Sequence, residues 1–244
     1  MQTLNFELKY TENTTHHKAI PAIIVAAGSS TRMKGISKAF AQLNGVPVIV
    51  RTMLAFQRSD LISDIILVTK NEFIADMQKF VNQYNISKVT DIVEGGNCRQ
   101  ESVFKGLKCV KNSEKVLIHD GARPLVSQNL IAEICKKIQC ADAVICAVKS
   151  KDTIKKVNSD YLVTKTCNRD ELYAVQTPQA ADVKKYIGLL ENAELSNFTD
   201  DASIFEYNNI PVYVVDGEYS NIKITTPDDL ALAEFYLSKM GENI

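Results

Sequence analysis

From residue 21 onward, short runs of isoleucine and valine alternate with longer stretches whose apolar residues recur at helical spacing, which restricts the chain to α/β architectures. A parallel strand is covered on both faces, so it reads as a continuous apolar run, and its crossover needs a helix. Six such runs mark strands at 22–27, 64–69, 88–93, 115–119, 143–148 and 212–215. Between them, Val103, Phe104, Leu107 and Val110 give one helix an apolar face, and Leu130, Ile131, Ile134, Cys135 and Ile138 give another. The last helix has a marked start, with Thr226 as N-cap, Pro227 at N1 and Asp229 at N3 ahead of Leu230, Leu232 and Phe235. The pattern predicts one α/β domain over residues 21–240, built on a mostly parallel sheet.

One segment departs from it. Residues 153–167 read TIKKVNSDYLVTKTC, two β-prone runs about the turn formers Asn158-Ser159-Asp160. This is a hairpin inserted into a parallel chain, an arm at about 150–170. An isolated hairpin is marginal in water, so the arm needs a second surface, and a second subunit is a candidate.

The formal net charge of −1 excludes a general nucleic-acid binder, so an anionic ligand must be held by a local cluster. No apolar run approaches the ~20 residues that cross a bilayer. Residues 1–20 lack a continuous apolar core and hold no arginine, so they read as a polar extension and as neither a signal nor a transit peptide. The six cysteines form no C-x-x-C pair, which fits reduced thiols in the cytoplasm. Cys135, Cys140 and Cys146 read as small buried hydrophobes.

Ligands of open α/β sheets sit beyond the carboxyl ends of the strands, so chemistry is sought just after each strand. After the first comes Gly28-Ser29-Ser30-Thr31-Arg32-Met33-Lys34-Gly35, then Lys38. Small residues let N–H groups approach phosphate oxygens while the cations neutralise a polyphosphate; an ordinary turn with solvated cations fits the stretch equally well. Neither a Walker A loop nor the G-x-G-x-x-G fingerprint is present. After the third strand, Gly95-Gly96-Asn97 permits close backbone approach and Ser102 opens a helix, as a base slot or as a plain capped turn. After the fourth, His119-Asp120-Gly121-Ala122-Arg123-Pro124 places a carboxylate at the mouth of the sheet and a cation beside it. His119 continues the buried run of Val116, Leu117 and Ile118 and reads as structural.

PAIIVAAGSSTRM (21–33), Lys38, GGNCRQES (95–102), HDGARP (119–124), DTIKKV (152–157), TPQ (177–179), TDDAS (199–203) and NIKITTPDDLALAEFYL (221–237) occur in that order. Together they resemble the 2-C-methyl-D-erythritol 4-phosphate cytidylyltransferase family over essentially everything after residue 20. The resemblance implies a Rossmann-like nucleotidyltransferase domain that joins CTP and 2-C-methyl-D-erythritol 4-phosphate, with Mg2+ carried mainly on the CTP phosphates. It implies that Arg32 and Lys38 bind the triphosphate and stabilise the transition state. It places cytosine and ribose at Ala26, Ala27, Gly28, Gly96, Asn97 and Ser102. The sugar phosphate falls to Asp120, Arg123, Thr153, Arg169 and Lys223, with Thr199 nearby, and the arm crosses to a partner in a homodimer.

Two features depart from the family pattern. Ser37-Lys38-Ala39 stands where Pro-Lys-Gln is usual, one residue closer to the arginine, which bears on the loop's conformation and makes Lys34 an alternative to Lys38. Residues 1–20 have no counterpart. The nearest rival reading is a ribitol-5-phosphate cytidylyltransferase, against which TDDAS and the AAG start weigh. Further off are an NAD-binding oxidoreductase, since the dinucleotide fingerprint is missing, and a non-catalytic sugar-nucleotide sensor, which would have no reason to keep both Lys38 and Lys223 opposite separate phosphates.

Overall fold

The computed structural model describes residues 18–28 and 38–241, without the side chain of Lys38. In chain order the elements are β1 (Ile20–Val25), β2 (Gln42–Leu43), β3 (Val46–Pro47), α1 (Val48–Gln57), β4 (Ile62–Thr69), α2 (Ile74–Gln83) and β5 (Val89–Glu94). Then come α3 (Arg99–Leu107), β6 (Lys115–Asp120), α4 (Gln128–Lys137), β7 (Ala143–Lys149), β8 (Lys155–Val157) and β9 (Val163–Thr166). The chain continues with β10 (Tyr173–Asp182), α5 (Val183–Glu191), α6 (Ser203–Tyr207), β11 (Val212–Asp216) and α7 (Pro227–Met240).

Seven strands form one sheet in the order β11-β7-β10-β6-β1-β4-β5. Successive side chains of a strand face opposite ways, and here both faces are apolar. Ala22 and Ile24 of β1, with Ile65 and Leu67 of β4, meet Ile49, Met53, Phe56, Leu130 and Ile134 on one side. Ile23, Ile66 and Val68 meet Val103, Leu107, Tyr186 and Phe205 on the other. The third cluster sets Ala233 and Leu237 of α7 on Leu43, Val48 and Ile224. The α7 start is the capping box expected from Thr226, Pro227 and Asp229.

All six expected strands are present, each within two residues of its expected bounds. β10 is the strand that the sequence hides. Its residues, YAVQTPQAAD, include three alanines, two glutamines and a proline, which have little intrinsic strand preference. Tertiary pairing overrides that: β10 runs antiparallel between β6 and β7, with Gln179 opposite Ile118 and Val175 opposite Ala147. Its ladder with β7 breaks between Gln176 and Ala180, around Pro178, which has no N–H to give.

The inserted hairpin is present as β8 and β9, with Asn158 Oδ1 accepting from the N–H groups of Asp160 and Leu162 at the turn. Two readings are corrected. Ser102 does not open α3; Cys98 is the N-cap, and Ser102 lies in the first turn. Cys140 is exposed, because it ends the short turn after α4 where the apolar stripe has run out, whereas Cys135 and Cys146 are buried.

Candidate active site

The carboxyl ends of β1, β4, β5 and β6 open onto a cleft of ≈ 410 Å³. Ala26, Ala27 and Gly28 leave β1, Lys70 leaves β4, and Gly96 and Asn97 leave β5. Cys98, Arg99 and Ser102 come from the start of α3, Asp120 ends β6, and Lys223 precedes α7. Strand exits are pinned to one another: Ala26 N–H donates to Val68 O at 2.7 Å, Gly95 N–H to Thr69 O at 2.7 Å, and Gly121 N–H to Val25 O at 2.9 Å.

The Gly95–Ser102 turn is knit internally. Ser102 Oγ donates to Cys98 O and accepts from Gly96 N–H, both at 2.9 Å; Glu101 accepts from Asn97 N–H at 2.8 Å, and Lys105 donates to Gly95 O at 2.8 Å. A Cβ on Gly95 would stand 2.3 Å from Ala27 Cβ, and one on Gly96 would stand 2.3 Å from the Glu101 side chain. Both positions therefore require glycine for lack of space. A hydroxyl has one donor and two lone pairs, so Ser102 keeps one lone pair for a ligand.

Opposite this turn, Asp120 gathers three cations. Lys223 Nζ lies 2.7 Å from its Oδ2, Arg123 Nε 3.7 Å from the same oxygen, and Arg99 Nε 3.4 Å from Oδ1. Burial alone would raise the carboxyl pKa, but Arg99, Lys223 and Arg123 overcome it and hold the group well below the usual carboxylate range. Arg123 also donates to Asn221 O at 2.7 Å, which ties it to the loop that carries Lys223. Arg99 donates to Asp201 at 2.7 Å, and Asp201 in turn accepts from Tyr186 O–H at 2.7 Å. Gln179 of β10 steadies the same turn through Asp200 Oδ2 and Ala202 N–H, each at 3.0 Å.

His119 is structural, as expected. One ring nitrogen lies 3.0 Å from Arg123 O, which can only accept, so that nitrogen carries the proton; the other takes the Thr177 hydroxyl at 3.1 Å. Burial lowers its pKa to about 4. It is hydrogen-bonded to the Asp120–Arg123 turn and does not line the cleft.

The cleft thus unites Ala26, Ala27, Gly28, Gly96, Asn97, Ser102, Asp120 and Lys223, with Arg123 behind Asp120. Thr153, Arg169 and Thr199 are exposed and do not line it. Arg169, beside the hairpin, donates to Lys151 O at 3.4 Å. Arg32 and Lys34 lie outside the described residues, as does the side chain of Lys38. Sequence reasoning missed Lys70 and Arg99. A cation at the start of a helix reads as solvated, whereas Arg99 is paired with Asp120 and with Asp201, 21 and 102 residues away.

The model of the family described as 2-C-methyl-D-erythritol 4-phosphate cytidylyltransferase matches residues 20–239. The chain is similar to the enzyme of that name from Clostridium acetobutylicum, at 45% identity over 222 residues, 89% of this chain and 97% of the relative. It is similar to the one from Dehalococcoides mccartyi at 42% over 229 residues, 91% and 98% of the two chains. Among solved structures, the 4-diphosphocytidyl-2C-methyl-D-erythritol synthase of Anaerococcus prevotii aligns with a TM-score of 0.80 at 39% identity, covering 91% of this chain and 97% of that one. The Thermus thermophilus cytidylyltransferase aligns at 0.73 and 26% identity, covering 90% and 99%.

Proposed function

This chain belongs to the 2-C-methyl-D-erythritol 4-phosphate cytidylyltransferase family, and we propose that its cleft holds CTP against the strand ends while Asp120, Arg123 and Lys223 receive the sugar phosphate. The enzyme transfers CMP from CTP to 2-C-methyl-D-erythritol 4-phosphate, giving 4-diphosphocytidyl-2-C-methyl-D-erythritol and pyrophosphate in non-mevalonate isoprenoid biosynthesis. The ribitol-5-phosphate alternative finds no support among these relatives.

A phosphate monoester loses its second proton near pH 6, so the sugar phosphate is mostly dianionic at neutral pH. Its oxygen forms a bond to the α-phosphorus of CTP as the bond to the pyrophosphate oxygen breaks. No general base is needed, which accords with a buried His119 sealed by Arg123 and Thr177. The barrier is the approach of two polyanions, and fixed cations lower it. Arg32 and Lys38 take the triphosphate in this reading, and Lys223 takes the sugar phosphate.

Both oxygens of Asp120 face cations, and among the described residues no group of three or more His, Cys, Asp or Glu stands together as a metal cage. Such a cleft fits Mg2+ that arrives on the triphosphate and is held by phosphate oxygens and water. The ion supplies charge neutralisation there. Ala26, Ala27, Gly28, Gly96, Asn97 and Ser102 take the base and ribose. The free lone pair of Ser102 suits the amine of cytosine, whereas the O4 of uracil would meet it lone pair to lone pair.

Residues 21–240 form the catalytic domain in this reading, with 1–20 an extension. The arm carries Ile154, Val157, Tyr161, Leu162 and Val163 exposed, Tyr161 at 90%, which favours a homodimer whose arms bring Thr153 and Arg169 to the partner's cleft. No described helix is long and apolar enough to cross a membrane, which accords with a cytoplasmic location.

The observation that carries the residue assignment is one carboxylate with three cations, Arg99 among them supplied by the internally hydrogen-bonded glycine turn. Pyrophosphate release tests it. Release is expected with CTP plus 2-C-methyl-D-erythritol 4-phosphate, and at roughly a tenth or less of that efficiency with UTP or with ribitol 5-phosphate. Equal turnover of UTP and CTP would remove Ser102 from base reading.

A further inference from the structure

Asp120 and Lys223 form a close ion pair in the cleft, at 2.7 Å, yet both are assigned to the sugar phosphate. If Lys223 is to grip a phosphate it must leave Asp120, and the two ends of the pair differ in freedom. The Lys223 side chain is 42% exposed and that of Asp120 only 11%. Losing its nearest counter-ion would leave Asp120 a buried carboxylate short of partners, which is costly.

Arg99 is placed to prevent that. Its Nε faces Asp120 Oδ1, the oxygen that Lys223 and Arg123 do not face. Its Nη2 is anchored on Asp201, whose side chain is 2% exposed and fixed by Tyr186. Arg99 also starts α3, directly after the Cys98 cap, so both its backbone and its guanidinium are held. A planar guanidinium can serve two carboxylates at once, and an ammonium cannot do so in the same geometry.

Resting on the assignment of Asp120 and Lys223 to the sugar-phosphate site, we propose that Arg99 is a positioning residue: it keeps Asp120 charged and in place while Lys223 turns from Asp120 to the substrate phosphate. Asp120 is then free to accept from a hydroxyl of the sugar. The Asp201 of TDDAS becomes the anchor of that arrangement, a use the string does not reveal by itself.

Steady-state kinetics of the full chain test this. Arg99→Gln is expected to lower kcat/KM for the sugar phosphate about tenfold or more while KM for CTP stays within about twofold. Arg99→Lys is expected to recover part of the loss, and Arg99→Ala to respond to added guanidinium but not to neutral urea, because a positive charge is what Asp120 lacks. A loss that falls mainly on KM for CTP, or one that neither lysine nor guanidinium relieves, overturns the proposal; the first marks a nucleotide contact and the second a packing defect. Should Arg99→Gln fail to fold, Asp201→Asn, which keeps an oxygen for Tyr186, is expected to give a smaller loss confined to the sugar phosphate, and equal losses for both substrates overturn it. Asp120→Asn and Lys223→Ala fix the reference. If both keep wild-type kinetics for the sugar phosphate, the underlying site assignment is wrong; if both are impaired while Arg99→Gln is not, the role of Arg99 alone is wrong.

Discussion

The turn from Gly95 to Ser102 and the hairpin of β8 and β9 are both excursions from the same sheet, yet they differ in how far one chain completes them. In the turn, Ser102, Glu101 and Lys105 satisfy the backbone around two glycines, and Arg99 reaches across to buried Asp201. In the hairpin every residue of both strands is exposed, and its apolar side chains meet no core. A segment that hydrogen-bonds to itself and to the core can be rigid in a monomer, whereas a two-stranded ribbon without a covered face cannot. The difference separates what one chain completes by itself from what it leaves exposed.

The harshest test of the cleft side is Lys38→Ala. If chemistry belongs to the strand-end cleft, kcat should fall about a hundredfold or more while KM for the sugar phosphate stays within about twofold, because the charge of the lysine is proposed to matter chiefly in the transition state. Near-normal kcat would shift the role to Lys34. Titration with CTP by calorimetry would show whether ground-state binding survives.

The arm side can be broken by mixing. Lys38→Ala and Arg169→Ala are each expected to be inactive; if the arm serves the partner, a mixed dimer has one doubly defective site and one intact site. Unfolding and refolding an equal mixture should then restore roughly a quarter of wild-type activity. A mixture as inactive as its parents, under conditions where wild type recovers, would place Arg169 in its own chain's site and erase the contrast.

A smaller effect sharpens the cleft side through acid. His119 is buried and takes a proton only near pH 4, whereas in the unfolded chain it does so near 6.5. The unfolded state therefore binds more protons between those values, so stability falls as pH drops from 6.5 to 4 and this contribution then levels off. The expected loss is about 3 kcal/mol. Asp120, with its pKa depressed, adds a further loss only below the usual carboxylate range, as pH falls toward its folded value. Urea unfolding of wild type and His119→Asn across this window checks the sign; equal slopes would show that His119 is not the source.

Much of this was legible beforehand because short isoleucine and valine runs alternate with amphipathic stretches, which is the pattern of βαβ units. Tertiary dependence hid the rest. β10 holds alanine and glutamine in strand form only because β6 and β7 flank it. Ser102 looked like a cap because serine often is one, but Cys98 sits at the position with extended backbone ahead of α3. The loop after β1 was read as a triphosphate site from its glycine and cations and lies largely outside the described residues, while Arg99 required knowing that Asp120 and Asp201 meet in space.

The place of the arm follows from the direction of β10. Among consecutive strands of the seven-stranded sheet, β7 and β10 are the pair that lie adjacent and antiparallel, with Lys149 opposite Tyr173 at the junction. Parallel neighbours must be joined by a crossover of a dozen or more residues, but antiparallel neighbours need only a tight turn. Everything between Lys149 and Tyr173 is thus dispensable to the sheet's own connectivity. Evolution, or a protein engineer, can lengthen, reshape or excise that insert without rethreading the domain, so the segment can change while the strand-end cleft stays as it is.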